Sequence, residues 1–379
     1  MQCDLCGALA HELLIEVPTG RSMRSDRAIL PRDLVKHACT RCGLVSGDAQ
    51  IAEGLYAESY TVGLQPEHMF YGANGPIARS AVMADWLTPS IPARAQDIFE
   101  IGAGSGNLLA ELARRLPDRK LAGTEPNHLA AARAQQRGLT VSAAALEATP
   151  ARYDLAYAIA VIEHVPSPTT FLRAIRAMLR DEGTLLLCQP TQDVPSTDVF
   201  FADHLHHFGT EHLRQYAHKC GFREQQALVG HPLMPNFSLH VWQACAPPDD
   251  FSWIGPPAMT TCRATAAAVV ADMQRLDALL ARLAHERRRV AVFGLGEVYW
   301  LARSYSKLGD FPVVVGLDDD PNRPGLATLG FPVAVPEQCA LLGVQDVILT
   351  MSSMYHAQAT KRLHGLGLGI AVHELLSHA

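Results

Sequence analysis

The chain lacks the features that mark membrane or exported proteins. No run of roughly 18 apolar residues occurs in it, and Met1-Gln2-Cys3-Asp4 starts neither a basic nor an apolar leader. The sequence therefore predicts a cytoplasmic protein with no membrane span. It also lacks an excess of basic charge: 32 Lys and Arg face 38 Asp and Glu, a formal net charge of -6. That balance excludes an overall electrostatic grip on nucleic acid, which needs a basic face, and leaves only a local basic patch open. Low-complexity segments are missing too. Cysteine is scarce by the standard of a disulfide scaffold, and the odd count of nine fits reduced thiols with some metal ligation. What remains is an ordinary globular composition, 48% hydrophobic and 18% charged. Its 379 residues are enough for two or three folding units of about 150 each.

Four of the nine cysteines are patterned. Cys3-x-x-Cys6 and Cys39-x-x-Cys42 are two hooks, each followed by a glycine, Gly7 or Gly43, which suits the tight turn that aims two thiolates at one ion. The pattern predicts a four-cysteine zinc ribbon, although the hooks stand roughly 30 residues apart where roughly 15 to 20 is commoner. Four donors close a tetrahedral sphere, so the zinc is expected to be structural. Redox-active pairs, or two unrelated pairs of small buried cysteines, are the alternatives, and neither accounts for the repeated glycine. Downstream, Leu55 to Tyr60 and Tyr71-Gly72-Ala73-Asn74-Gly75-Pro76 bring tyrosines near glycine turns. Such a stretch serves either a ligand pocket or a cover over apolar surface.

Further along, Asp97 to Ile101 reads as a short buried strand that runs into Gly102-Ala103-Gly104-Ser105-Gly106 and then an apolar-periodic helix, Leu108 to Leu116. The glycines remove side chains where the backbone turns sharply and a ligand must approach a helix N-terminus. Their spacing is GxGxG, with Glu100 just before it, and not the dinucleotide GxGxxG. Leu121 to Glu125 reads as the next strand, ending in a carboxylate placed to accept hydrogen bonds from ribose hydroxyls. Strands at Tyr153 to Ile162 and Gly183 to Cys188, alternating with helices such as Pro168 to Leu179, predict a doubly wound sheet.

These segments, together with Ala160-Val161-Ile162-Glu163-His164-Val165-Pro166, resemble the signature stretches of class I S-adenosylmethionine-dependent methyltransferases. The resemblance implies that Glu100, Gly102, Gly104 and Gly106 line the cofactor's amino-acid part and that Glu125 binds its ribose. It also implies that residues near Ala144, Ala145 and Leu146 wall the adenine, through backbone and apolar surface. Methyl transfer from a sulfonium needs alignment and, for a protonated acceptor, a base. Candidate bases cluster in Phe200-Phe201-Ala202-Asp203-His204-Leu205-His206-His207-Phe208, and His164 lies similarly just beyond a strand end. A zinc site built from the three clustered histidines is the rival reading.

The last third opens with the turn-rich Phe251 to Pro257 and a long helix over 262–288, whose Val269, Met273, Leu276, Leu280 and Leu283 share one face. A second strand-loop-helix follows at Arg289 to Glu297, with further strands at Val313 to Leu317, before Asp318-Asp319-Asp320, and at Asp346 to Thr350. Tyr299 holds the position of the third dinucleotide glycine, so this domain is expected to shape the acceptor site and clamp the central domain without running a redox reaction.

The order of zinc ribbon, methyltransferase domain and Rossmann-like domain resembles the three-part bacterial (deoxy)sugar C-methyltransferases. It implies an α/β chain in four parts. Residues 1–75 form a zinc-binding module and tyrosine-containing connector, and 76–247 an S-adenosylmethionine-binding doubly wound sheet. Residues 248–285 form a linker and long helix, and 286–379 a Rossmann-like α/β domain. It implies a nucleotide-linked keto sugar as acceptor, in a natural-product pathway. The family's Tyr-x-Glu-His segment corresponds to Phe201-Ala202-Asp203-His204, with phenylalanine and aspartate replacing tyrosine and glutamate. Tyr60 is kept, and Val62 stands where a second tyrosine is common. On that match His204 is expected to be the base, oriented by Asp203, with His164 or Tyr60 near the acceptor oxygen and His207 in reserve. Methylation of oxygen or nitrogen in another small molecule is the alternative, a non-enzymatic cofactor-binding scaffold a further one, and the oligomeric state is open.

Overall fold

A computed structural model describes residues 2–52, 54–56, 60, 67–72, 75–146, 152–255, 261–319 and 329–376. Ala57, Glu58, Ser59, Val62, Ala73, Asn74, Pro256, Pro257 and Asp320 lie outside the described residues. The chain divides into two compact units. One comprises Met1–Leu14, Lys36–Asp198 and Asp203–Thr261; the other comprises Ile15–Val35, Val199–Ala202 and Cys262–Ala379.

The chain starts with short strands β1 (His11–Val17), β2 (Ser22–Met23), β3 (Ile29–Leu30), β4 (Leu34–Cys39) and β5 (Val45–Ser46). The antiparallel pair β6 (Met69–Gly72) and β7 (Gly75–Ala78) leads into α1 (Arg79–Leu87). Then strands and helices alternate as β8 (Asp97–Ile101), α2 (Asn107–Arg115), β9 (Lys120–Thr124), α3 (His128–Gln136), β10 (Val141–Ser142), β11 (Tyr153–Ile159), α4 (Pro168–Met178) and β12 (Leu179–Pro190). A two-residue strand β13 (His206–His207), α5 (Thr210–Lys219) and the long strands β14 (Phe222–His231) and β15 (Met234–Ala244) follow; of the strands so far, β2 and β3 fall in the second unit.

The central sheet has seven strands in the order β10-β9-β8-β11-β12-β15-β14. Its first five strands are parallel, whereas β15 runs antiparallel to both β12 and β14, so the expected doubly wound sheet carries an antiparallel edge. Position follows from sequence here. Leu155, Ala156, Tyr157 and Ala158 of β11 are all fully buried, the unbroken apolar run of a strand covered on both faces. Leu108, Leu109 and Leu112 give α2 its buried stripe, with Arg114 and Arg115 in its last turn. Ser167 caps α4 through its side chain and Pro168 occupies the first turn. The carboxyl ends of β8, β9, β11 and β12 thus open onto one sheet edge, where a doubly wound fold binds ligands.

In the second unit, α6 (Cys262–His285) buries the expected stripe of Val269, Met273, Leu276, Leu280 and Leu283. After it come β16 (Val290–Phe293), α7 (Glu297–Tyr305), β17 (Val315–Leu317), β18 (Val333–Ala334), β19 (Asp346–Leu349), α8 (His356–Gly365) and β20 (Ala371–Glu374). The five strands form a parallel sheet in the order β18-β17-β16-β19-β20. Tyr299 is buried and meets Phe331 edge-on. Among the described residues no helix is long and apolar enough to cross a membrane.

Candidate functional site

The two cysteine hooks meet. Cys3 Sγ lies 3.6 Å from Cys42 Sγ and Cys6 Sγ 3.5 Å from Cys39 Sγ, so each sulfur pairs across the hooks. All four lie within 4.8 Å of one another. A zinc ion with bonds of about 2.3 Å to sulfur spaces tetrahedral ligands about 3.8 Å apart, whereas a disulfide needs about 2 Å. The donor set therefore fits one metal ion, and none of the nine cysteines is in a disulfide. The hydrogen bond from Cys42 pulls the Cys3 thiol down to about 5, towards the thiolate that binds metal.

At the carboxyl end of β8 the chain turns through Gly102, Gly104 and Gly106, all with left-handed φ of 75°, 54° and 78°. A Cβ on Gly102 would stand 2.7 Å from Val161 Cγ2, and one on Gly106 2.4 Å from Leu139 Cδ1. The loop is stitched to the next strand by the carboxylate of Glu125, which accepts from the Gly104 amide at 2.8 Å and the Asn127 amide at 2.8 Å. Burial raises the Glu125 pKa, and those two N–H groups oppose the rise. Each carboxylate oxygen has a second lone pair for a ribose hydroxyl. Glu100 is buried in β8 beside Tyr157; burial pushes its carboxyl up to about 8, with the Glu125 charge adding to the rise, and its Oε2 has no hydrogen-bond partner. An orphaned buried acceptor beside a cradle that Cβ atoms would fill is what the cofactor's amino-acid end requires. Ala145 is exposed and Leu146 half-buried.

The histidines gather at the ends of β11 and β12. Ala160 holds a left-handed φ of 54° without being glycine, strain that turns the chain into Glu163 and His164. His164 Nδ1 lies 2.7 Å from the Tyr56 hydroxyl and 3.0 Å from the Asp203 carbonyl, which also accepts from Tyr56 at 3.1 Å. A carbonyl can only accept, so the proton of neutral His164 is assigned to Nδ1 and the lone pair to Nε2. Burial pulls His164 down to about 4, helped by the neighbouring His204. The His204 ring stands at 86° to it with centroids 4.6 Å apart. Burial pulls His204 down too, but the hydrogen-bonded Asp198 carboxylate outweighs it and raises His204 to about 9. The other Asp198 oxygen takes His207 Nδ1 at 2.6 Å, and burial holds His207 down at about 4. Glu163 is buried with neither carboxylate oxygen partnered, and burial pushes it up to about 7.

Several expected placements change. The carboxylate bonded to His204 is Asp198; the Asp203 carboxylate lies 3.7 Å from His164 Nδ1 instead. Asp203 precedes His204 in sequence, but the backbone sends its side chain and carbonyl towards His164. Tyr60, expected near the acceptor oxygen, packs its ring 4.9 Å from Tyr56 and 5.8 Å from His164, and Tyr56 is hydrogen-bonded to His164. The rival three-histidine metal site does not form, because His206 faces Ser46 and the Pro166 carbonyl. The set with metal-ligand spacing is Glu163, His164 and His204. No motif in the sequence marks Asp198, Glu163 stands there only as part of a signature stretch, and Tyr56 only as one tyrosine of a stretch suited to a pocket or a cover.

Residues 77–227 match the family model described as a methyltransferase domain. With the glycine loop, the Glu125 carboxylate and the strand order, this segment is a class I S-adenosylmethionine-dependent methyltransferase domain. Among proteins of known name, the chain is similar to the ubiquinone biosynthesis O-methyltransferase of Cereibacter sphaeroides, 31% identical over 118 residues, covering 29% of this chain and 47% of that one. The enzyme of the same name from Roseobacter denitrificans is 31% identical over 135 residues, 34% and 52% of the two chains. The chain thus spans about half the length of the curated relatives it matches. Among solved structures, a mitomycin 7-O-methyltransferase superposes on 44% of this chain and 55% of its own, with 17% identity and a TM-score of 0.39.

Proposed function

We propose that this chain is a cytoplasmic enzyme that transfers a methyl group from S-adenosylmethionine to a small polar acceptor, with His164 and His204 handling the acceptor's proton and charge. The observation that carries it is a pair of buried imidazoles with centroids 4.6 Å apart in the loops beyond β11 and β12, of which His204 alone is bonded to the Asp198 carboxylate; burial lowers the pKa of His164, and Asp198 raises that of His204. S-adenosylmethionine, when bound, supplies a methyl group on a positive sulfur that departs neutral. Gly102, Gly104 and Gly106 give its amino-acid part room, Glu125 takes its ribose, and the backbone near Ala145 with Leu146 walls the adenine. The four cysteines hold a structural zinc.

Neutral His164 offers Nε2 as the base. His204, protonated up to about 9 on Asp198, offers its charge to an oxygen that turns negative. Pairs of groups with pKa values pushed apart divide acid and base work in this way, which exchanges the roles expected from the sequence. His207 shares Asp198 and braces it. A carbon next to a ketone needs both a base and a donor to the developing enolate, so the pair favours C-methylation of a nucleotide-linked keto sugar. O-methylation is the second reading, favoured by the names of the relatives.

The test is incubation with methyl-labelled S-adenosylmethionine and nucleotide-linked keto sugars, with product NMR on the methylated atom. His164→Gln and His204→Gln should each lower turnover by about 10² to 10⁴ with cofactor affinity unchanged. Turnover should stay level between the His164 and His204 values of about 4 and about 9 and fall outside them. Full activity in both variants overturns the role of the pair, an O-methyl product selects the second reading, and absence of cofactor binding overturns both.

A further inference from the structure

Each cysteine hook grips a different histidine loop. In the first hook, the Asp4 carboxylate accepts from Ser167 Oγ at 2.7 Å, the Thr169 amide at 2.9 Å and Thr169 Oγ1 at 2.6 Å. Ser167 caps α4, so Asp4 pins the segment that begins at His164. The second hook runs directly into β5, which pairs with β13 in the register Val45 to His207 and Ser46 to His206. There Gly47 N donates to the Leu205 carbonyl at 2.8 Å, and the buried Lys36 ammonium donates to the His204 carbonyl at 2.5 Å. His212 Nε2 donates to the Cys42 carbonyl at 2.9 Å from the other side.

The sulfurs pair across the hooks, Cys3 with Cys42 and Cys6 with Cys39, so an ion bound there joins the Asp4 anchor to the Lys36 anchor. We infer that the four-cysteine centre sets the spacing of His164 and His204, with Asp4 and Lys36 as positioning residues that carry its geometry to the two imidazoles. This rests on the reading of that pair as the acid and base. A structural metal that only stabilised its own module needs neither anchor. Here each hook makes polar contacts with the loop of one histidine besides those with α5, where His212 meets Cys42 and Lys219 donates to the Asp4 and Leu5 carbonyls, and the loops touch each other through the Leu205 amide and the Glu163 carbonyl at 2.6 Å. A hook displaced by loss of the ion therefore carries one imidazole away from the other.

The experiment is side-chain NMR of the histidines in the full chain loaded with zinc and saturated with S-adenosylhomocysteine, with signals assigned by their loss in His164→Gln and His204→Gln. Asp4→Ala should shift the His164 ring signals, Lys36→Met those of His204, and zinc removal by a chelator both, while calorimetry reports unchanged affinity for S-adenosylhomocysteine in the two variants. Asp4→Asn, which keeps one acceptor oxygen, should return His164 part of the way. Both variants keep all four thiols, so they decide the matter even if the zinc-free chain unfolds. Histidine signals unmoved in Asp4→Ala and Lys36→Met overturn the inference, whereas failure of the unaltered protein to bind S-adenosylhomocysteine strikes at the methyltransferase reading instead.

Discussion

Removing the negative charge at Asp198 should lower stability in a manner that depends on pH in a defined direction. Against the pull of burial, the Asp198 carboxylate, with smaller help from Asp203 and Glu163, raises His204 from its ordinary 6.5 to about 9. At about 1.4 kcal/mol per pH unit, that rise corresponds to about 3 kcal/mol of stability. A group with a raised pKa contributes fully below its unfolded value and loses the contribution as pH climbs through the folded value, here between 6.5 and about 9. Asp198 works in the opposite direction. Burial raises it, but His204 and His207 hold it well below the ordinary 3.8, so its share is present above that value and lost as the solution becomes more acidic. Both partners express one interaction, which is therefore greatest between about pH 4 and 6.5. Asp198→Asn keeps an oxygen to accept the His204 proton and removes only the charge. In urea unfolding the variant should lose about 3 kcal/mol near pH 6 and much less above about pH 9. An equal loss at both would mean that His204 is neutral in the folded protein, and the division of labour between the imidazoles would fail with it.

Metal analysis of the purified chain should find about one zinc, and replacing Cys39 and Cys42 by serine should remove it; zinc retained at full stoichiometry without all four thiols would place it elsewhere. Glu125→Ala should weaken S-adenosylmethionine binding by about 1.5 to 3 kcal/mol in calorimetry, the scale of a hydrogen bond to a charged group, and an unchanged affinity would remove the ribose from that carboxylate. Gly106→Ala should destabilise by more than the roughly 1–2 kcal/mol of a left-handed residue, because its Cβ meets Leu139 at 2.4 Å. Gly138→Ala, with a similar φ of 80° and nothing within 4 Å, should show the backbone cost alone, so equal thermal shifts for the two would refute the contact argument.

What could be read in the sequence is what depends on near neighbours. The glycine loop and Glu125 are separated by one strand and one helix, so spacing alone brings them together. The cysteine hooks announce themselves because each supplies two donors from adjacent turns. The long helix over Cys262–His285 shows in its apolar steps. The polar cluster was harder to see, since its pairings are decided by chain direction after a strand ends. Asp203 sits next to His204 in the chain, and Asp198 stands on the far side of Val199–Ala202, a segment that belongs to the second compact unit. No periodicity marks that excursion, so proximity in sequence pointed to the wrong carboxylate. Glu163 was visible as a letter, but its lack of partners exists only in three dimensions.

The missing Cβ of Gly102 and the methyl of Val161 occupy one volume between two loops that are 59 positions apart in sequence by their numbering, with only 2.7 Å to divide between them. The two positions therefore behave as a single site with a shared occupancy. A side chain gained at Gly102 has to be matched by one given up at Val161, and the left-handed turn at Ala160 keeps the second loop from stepping back. Change in this part of the molecule should thus proceed in coupled steps: Gly102→Ala harmful alone and milder with Val161→Ala, a reciprocity that laboratory evolution would find as pairs before it found either member singly.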